Sequence, residues 1–251
     1  MDLGLKGKRA LVTGSTKGIG RAIAEVLLAE GASVAICART GETVKTAIAE
    51  MSPLGNVIGD SVDAGDLGSV EAWIASSAAQ LGGIDIYVHN TSGKPQKALA
   101  DWSKNFATDL ISLVGGVAAA ADFLADGGGS IVSIGTTASA EHFGSGSGSY
   151  SAFKAAVTNW TLGQAQVLGR RAIRCNVVSP GPVVFDGGDW DNIRSAKPEF
   201  YDATVASHPV GRLGSPLDVA NVVAFLSSDS AAHINGANIT VDGGFLKRIN
   251  Y

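Results

Sequence analysis

The sequence predicts an α/β fold: a doubly wound parallel sheet of about seven strands with helices on both faces. Three observations predict it. Short β-branched runs alternate with longer Ala-rich segments of helical period along the chain. The strand candidates are continuous apolar runs, as strands covered on both faces must be. The 33 glycines follow no collagen period and form no low-complexity block, so they act as punctuation between elements.

Each element has its own signal. Residues 9–13 give a strand, 14–20 a glycine-rich turn, and 21–30 a helix that Gly31 stops. Residues 33–38, Ser-Val-Ala-Ile-Cys-Ala, form the second strand. Residues 42–51 form a helix ended by Ser52-Pro53, and 56–59 a third strand. The helix over 67–81 stops at Gly82-Gly83, and 84–89 is the fourth strand. A long helix spans 102–125 and closes at Gly127-Gly128-Gly129 before the fifth strand, 130–134. A helix over 151–168 leads to the sixth strand, 172–178. A last helix, 216–228, precedes a short strand, 238–241. Residues 185–210 break the alternation with recurring Asp, Gly and Pro around Trp190, Phe200 and Tyr201. This stretch reads as a mobile flap over the carboxyl ends of the strands.

No linker, charge block or repeat divides the 251 residues, so the expectation is one domain over 1–251. The chain is 45% hydrophobic and 17% charged, which excludes disorder. A net charge of −4 offers nucleic acid no electrostatic footprint. Two cysteines in apolar runs, Cys37 and Cys175, make no disulfide framework. No apolar run reaches the ~20 residues of a membrane span. Only Ala10-Leu11-Val12 follows the basic N-terminus, too little for a signal segment, so a cytoplasmic protein is expected. No spacing of Cys, His or carboxylates suggests a metal site.

The turn Gly14-Ser15-Thr16-Lys17-Gly18-Ile19-Gly20 joins the first strand to the first helix. Glycines there let the backbone approach a pyrophosphate, and the helix N-terminus offers free N–H groups and a positive dipole end. The spacing Gly-x-x-x-Gly-x-Gly in a βαβ unit therefore points to a dinucleotide and a Rossmann-like sheet. At the end of the second strand, an NAD enzyme places a carboxylate for the ribose 2′-OH. Here Ala38 stands there and Arg39 follows. A guanidinium matches a 2′-phosphate, and Lys17 adds a second cation, so NADP(H) is the expected cofactor.

With further motifs, the chain resembles the short-chain dehydrogenase/reductase family in its compact one-domain form, near the NADP-dependent carbonyl and 3-oxoacyl reductases. The motifs are Asp63, His89-Asn90-Thr91-Ser92, Tyr150-Ser151-Ala152-Phe153-Lys154, Asn176-Val177-Val178-Ser179-Pro180-Gly181, Arg212-Leu213-Gly214-Ser215-Pro216 and Val241-Asp242-Gly243-Gly244. The resemblance implies that Asp63 and the backbone of Ala64 meet the adenine, and that Asn90, Pro180, Gly181 and Val183 lie along the nicotinamide half. It also implies that Lys154 holds the nicotinamide ribose.

Tyr150 and Lys154, four apart on one helix, share a face. A tyrosine titrates near ~10, and a neighbouring ammonium is expected to lower that value. Tyr150 then serves as acid and base for a carbonyl or alcohol, and Lys154 as its partner. The family's serine is replaced within Gly135-Thr136-Thr137. Strand alignment favours Thr136 and counting back from Tyr150 favours Thr137; the Gly/Ser-rich loop 144–149 absorbs one residue more easily than a buried strand, so Thr136 is the expected hydroxyl. Threonine keeps the hydroxyl donor. Two more positions depart from the family. Asp109 stands where an asparagine's backbone carbonyl holds a relay water, and its buried carboxylate would need a partner or a proton. Phe185 replaces a threonine that contacts the cofactor.

His89 reads as a structural histidine rather than a base. His142, Phe143 and Trp190 are the substrate-pocket candidates, with Phe200, Tyr201 and His208 beside them. The loop 144–149 is the part expected to depart most from relatives. The resemblance implies a homotetramer in which helices 102–125 and 151–168 pack across an interface, their small residues Gly115, Gly116 and Ala118 to Ala121 allowing close approach. The reading is therefore an NADP-dependent oxidoreductase acting on a ketone or secondary alcohol, with the pocket aromatics suggesting a fairly hydrophobic carbonyl compound. Two alternatives stay open: an NAD-linked alcohol dehydrogenase of the same fold, and a catalytically silent dinucleotide-binding regulator.

Overall fold

The alternation of strand and helix builds one seven-stranded sheet. The computed structural model describes residues 2–93, 98–99, 102–124, 128–143 and 148–247. The strands are β1 (Arg9–Val12), β2 (Ser33–Ala38), β3 (Val57–Ser61), β4 (Ile86–His89), β5 (Gly129–Ile134), β6 (Ile173–Pro180) and β7 (Asn238–Val241). Their order is β3-β2-β1-β4-β5-β6-β7, and every pairing is parallel. The order reverses between β1 and β4, which makes the carboxyl ends of these strands a topological switch point.

Helices α1 (Gly18–Ala29), α2 (Gly41–Met51) and α3 (Leu67–Leu81) come first. Next come α4 (Trp102–Asn105), α5 (Ser112–Ala121), α6 (Ser149–Leu168), α7 (Asp189–Ala196), α8 (Pro198–Ala206) and α9 (Pro216–Ser227). Two apolar layers cover the sheet. One packs α1, α2 and α9 against residues such as Val12, Ile36 and Val178. The other packs α3, α5 and α6 against Leu11, Ala35, Ile131 and Cys175. Adjacent strand residues thus point to opposite layers and are buried in both, which is why β1, β2 and β4 read as unbroken apolar runs. The two edge strands are exceptions: β7 is only half-buried, and the last residues of β3, Asp60 and Ser61, are exposed.

Several expectations need correction. The fourth strand begins at Ile86, and Ile84 makes only an isolated bridge to Leu124. The helical stretch from Trp102 is not uniform: a π-helical segment, Phe106–Ile111, separates α4 from α5. Residues 125–127 lie outside the described residues, as do 144–147 of the loop expected to be unusual. Residues 185–210 are not a bare loop, because α7 and α8 fold there. Trp190 stacks on Phe200 at 5.9 Å between ring centroids and tilts against Tyr201 at 6.5 Å, so its aromatics hold the two helices together.

The glycines of α5 also serve another purpose than expected. A Cβ on Gly115 would strike Leu67, and one on Gly116 would strike the Tyr87 hydroxyl. These glycines admit side chains of the chain's own core. Of the named alanines, only Ala118 is exposed.

Candidate active site

The glycine turn is built for a close visitor. Gly14 and Gly18 hold positive φ, +63° and +57°, which side-chain-bearing residues rarely adopt. Gly20 is needed for contact instead: a Cβ there would meet the Gly14 carbonyl and the Asn90 amide. Ser15 is buried and ties the turn to the sheet, donating to the Val12 carbonyl at 2.7 Å and accepting from the Cys37 N–H at 3.1 Å. Lys17 precedes α1 without capping it through its side chain, so the first N–H groups of α1, from Gly18 and Ile19 onward, stay available. These features, with Thr16 at the rim, fit a dinucleotide pyrophosphate.

Lys17 and Arg39 are both exposed, and among the described residues neither forms an ion pair. Asp63 is exposed at the end of the β3 segment, where its Oδ1 accepts from the Gly65 N–H at 2.9 Å, beside half-buried Ala64. Asn90 is a brace. Its Nδ2 donates to the carbonyls of Thr13 (3.0 Å) and Gly14 (2.9 Å), so both amide hydrogens are spent beneath the turn.

The segment after β6 is held from two sides. Pro182 and Val184 exchange backbone hydrogen bonds with Gly214, fixing Val183 against the approach to α9. There Ser215 and Asp218 form a capping box. A Cβ on Gly181 would press on Asp242, whose carboxylate caps the turn through Gly244 and Leu246. Pro180 ends β6 beside it. Phe185, at the family's threonine position, lays its ring against Gly18, where an added Cβ would lie 2.6 Å from Cζ. The same ring faces Gly188, so one phenyl group is received by two glycines and forms an apolar wall beside the cradle.

Past the end of β5, Thr136 starts a short 3₁₀ turn and accepts from the Ala138 N–H at 3.2 Å. Its O–H hydrogen-bonds the Tyr150 phenol. Thr137 is buried within the turn. Tyr150 lies in the first turn of α6, and Lys154, one turn on, is buried with its Nζ 2.8 Å from the Ile134 carbonyl.

The electrostatics correct one expectation. Burial raises the Tyr150 pKa above its ordinary value, the Thr136 hydroxyl offsets this in part, and the Asp109 and Asp189 carboxylates push it further up. The Lys154 ammonium does not offset this and lies instead against a carboxylate. The Asp109 carboxylate lies 3.8 Å from Nζ, and both side chains are buried. Burial favours the neutral form of each, lowering the Lys154 value and raising that of Asp109. The partner that the Asp109 carboxylate needs is therefore Lys154, together with Ser92 Oγ at 2.7 Å and the Gly93 N–H at 3.2 Å. Asp109 belongs to the π-helical segment, whose wider turn interrupts the α-helical register at this position.

His89 is buried at the end of β4 with neither ring nitrogen well hydrogen-bonded, and burial pushes its pKa down to about 3. It stays neutral beside the Lys154–Asp109 pair. Among the residues expected to line a substrate pocket, exposed His142 precedes Phe143, which stacks on Phe245 at 5.0 Å. Phe245 in turn stacks on His208 at 4.5 Å. The inclusion of Phe245 was not foreseen, because a lone aromatic near the terminus carries no motif. Trp190 is drawn to α8 rather than to this stack. Among the described residues, no three His, Cys, Asp or Glu side chains gather where they could hold a metal.

The family model described as enoyl-(acyl carrier protein) reductase matches residues 14–246. Isoepoxydon dehydrogenase patN of Penicillium expansum is 34% identical over 251 residues, covering 97% of this chain and 96% of that protein. The 3-oxoacyl-[acyl-carrier-protein] reductase FabG of Escherichia coli K12 is 34% identical over 249 residues, with coverages of 96% and 98%. A short-chain dehydrogenase from Burkholderia cenocepacia J2315, solved in complex with NADP, superposes with a TM-score of 0.86 at 34% identity, covering 96% of this chain and 98% of the other. These likenesses span the glycine turn, the switch point and the helix that carries Tyr150 and Lys154, and the chain belongs to the short-chain dehydrogenase/reductase family of oxidoreductases.

Proposed function

We propose that this protein is an NADP(H)-dependent carbonyl reductase that interconverts a ketone and a secondary alcohol. The observation that carries the reading is the convergence of Tyr150, Thr136 and Lys154 beyond the carboxyl end of β5. Thr136 donates a hydrogen bond to the carbonyl oxygen, and Tyr150 gives that oxygen a proton. Lys154 holds the nicotinamide ribose and returns a proton to the phenolate. Bound NADPH supplies the hydride. Gly14, Ser15, Thr16, Gly18, Ile19 and Gly20 receive the pyrophosphate, Asp63 and Ala64 the adenine, and Pro180, Gly181 and Val183 the nicotinamide end. Asn90 keeps the floor of the turn in place. The relative solved with NADP supports this cofactor. The test is to incubate the protein with NADPH and a panel of ketones while following nicotinamide absorbance. Tight NADPH binding with no oxidation across the panel makes the protein a regulator instead.

Arg39 and Lys17 choose NADP(H) over NAD(H) by engaging the 2′-phosphate. Arg39→Asp is expected to raise the KM for NADPH by about tenfold or more, with kcat little changed, since it removes binding and not chemistry. A wild-type kcat/KM that favours NADH overturns the assignment.

The aromatic stack of Phe143 and Phe245 gives the pocket an apolar wall suited to a hydrophobic carbonyl compound. The two buried free thiols, held protonated with pKa values pushed up to about 12, suit a reducing compartment such as the cytoplasm. We also propose a homotetramer. Exposed Phe106 and Val167 lie on the π-helical segment and on α6, the faces assigned to one interface. Sedimentation as a monomer in analytical ultracentrifugation overturns it.

A further inference from the structure

The proton that Tyr150 gives away must be replaced from water, and Lys154, its partner, is sealed inside the protein. Two side chains lead outward from it. Lys154 Nζ is 3.8 Å from Asp109 Oδ1, and the same Oδ1 accepts from Ser92 Oγ at 2.7 Å. Ser92 is exposed. The Gly93 N–H, 3.2 Å from both carboxylate oxygens, holds the carboxylate in line. Neutral His89 is the other titratable group beside Lys154, and Asp189 is the other carboxylate acting on Tyr150.

We propose that Asp109 and Ser92 form a side-chain route that carries protons between solvent and Lys154. The proposal rests on the reading of Tyr150 as the acid. One proton enters for each carbonyl reduced. Tyr150 gives its proton to the carbonyl oxygen, and Lys154 returns one to the phenolate. Ser92 then donates its hydroxyl proton to the Asp109 carboxylate while taking another from water, which leaves hydroxide in the solvent, and Asp109 passes the proton it received to the Lys154 amine. Every O–H or N–H bond broken is matched by one formed, and no electrons move along the route. Burial brings the proton affinities of Lys154 and Asp109 toward each other, as a two-way transfer requires. The family's backbone carbonyl with its relay water is thus replaced here by a carboxylate and a hydroxyl.

The experiment compares Ser92→Ala, Ser92→Thr and Asp109→Asn with the wild type. Ser92→Ala is expected to lower kcat about tenfold with an unchanged KM for NADPH, and to make kcat rise with the concentration of a small diffusible acid such as imidazolium. Ser92→Thr, which keeps the hydroxyl, restores kcat. A purely structural role for Ser92 gives no buffer rescue. Asp109→Asn is read without the dinucleotide, by ultraviolet titration of tyrosinate, and loss of the carboxylate is expected to shift the Tyr150 titration downward. A Ser92→Ala enzyme with wild-type kcat and no buffer dependence overturns the route while the reading of Tyr150 stands. So does a Tyr150 titration unmoved by Asp109→Asn. An active Tyr150→Phe enzyme overturns the reading itself.

Discussion

Tyr150→Phe is expected to cut kcat for ketone reduction by about 10³-fold or more and to leave the Kd for NADPH within about twofold. The substitution removes one oxygen. The ring keeps its place at the start of α6, and the glycine turn that holds the dinucleotide lies on another segment. What disappears is the only proton donor that the proposed arrangement aims at the carbonyl oxygen, since Thr136 offers a hydrogen bond and not a transferable proton. The alcohol-oxidation limb tests the same group by pH. Burial and the Asp109 and Asp189 carboxylates hold the Tyr150 pKa above its ordinary value. The wild-type rate of alcohol oxidation should therefore keep rising through the alkaline range as the phenolate forms. The decisive measurement pairs steady-state rates with NADPH binding by nicotinamide fluorescence. Retained turnover removes Tyr150 from the mechanism.

The parts of this site that the sequence made legible are those where one residue type answers one local demand. Glycine at 14 and 18 answers a backbone demand that is the same in any context, a positive φ. The pair Tyr150 and Lys154 needs only the pitch of a helix. The unbroken apolar runs of β1, β2 and β4 reveal a sheet covered on both faces, because burial on each face removes the alternation. Strand β3 shows where that logic stops: an edge strand carries Gly59 and Asp60, and its ends are set by pairing to β2 rather than by its own residues.

What stayed hidden depends on partners distant in the chain. The helices α7 and α8 have weak local signals but are secured by the stacking of Trp190 on Phe200. Phe185 looked like a lost hydrogen bond, and its meaning comes from Gly18, far away in sequence and directly beneath the ring. Gly115 and Gly116 suggested a contact between subunits, yet they accommodate Leu67 and Tyr87. The Tyr150 titration departs from the helical-spacing expectation for the same reason. Helical spacing gives the nearness of Lys154 but not the Asp109 carboxylate that lies against it, because Asp109 arrives from a π-helical turn.

Lys154→Met is expected to destabilise the protein by about 3 kcal/mol and to invert part of its pH dependence. Methionine fills a similar volume, so packing alone predicts a small loss. The larger cost is electrostatic. Lys154 and Asp109 are both buried, and removing the ammonium leaves a carboxylate inside the protein with only Ser92 and the Gly93 N–H to support it. Burial already raises the Asp109 pKa, with the Lys154 charge acting against the shift, so the variant's value stands higher still. The folded pKa then lies above the unfolded one, near ~4, and the folded state binds the proton more readily. The protonated carboxyl stabilises the variant at low pH, and that stability is lost as pH rises through the folded value. The melting temperature of Lys154→Met should accordingly climb, relative to wild type, as pH falls from about 8 to about 5. Adding Asp109→Asn keeps the acceptor for Ser92 and Gly93 while removing the stranded charge. The double variant should recover most of the lost stability and show no pH-dependent gain. Melting curves of the four proteins across this range decide it: additive losses would mean that the two side chains do not act on each other, and that the 3.8 Å approach carries no energy.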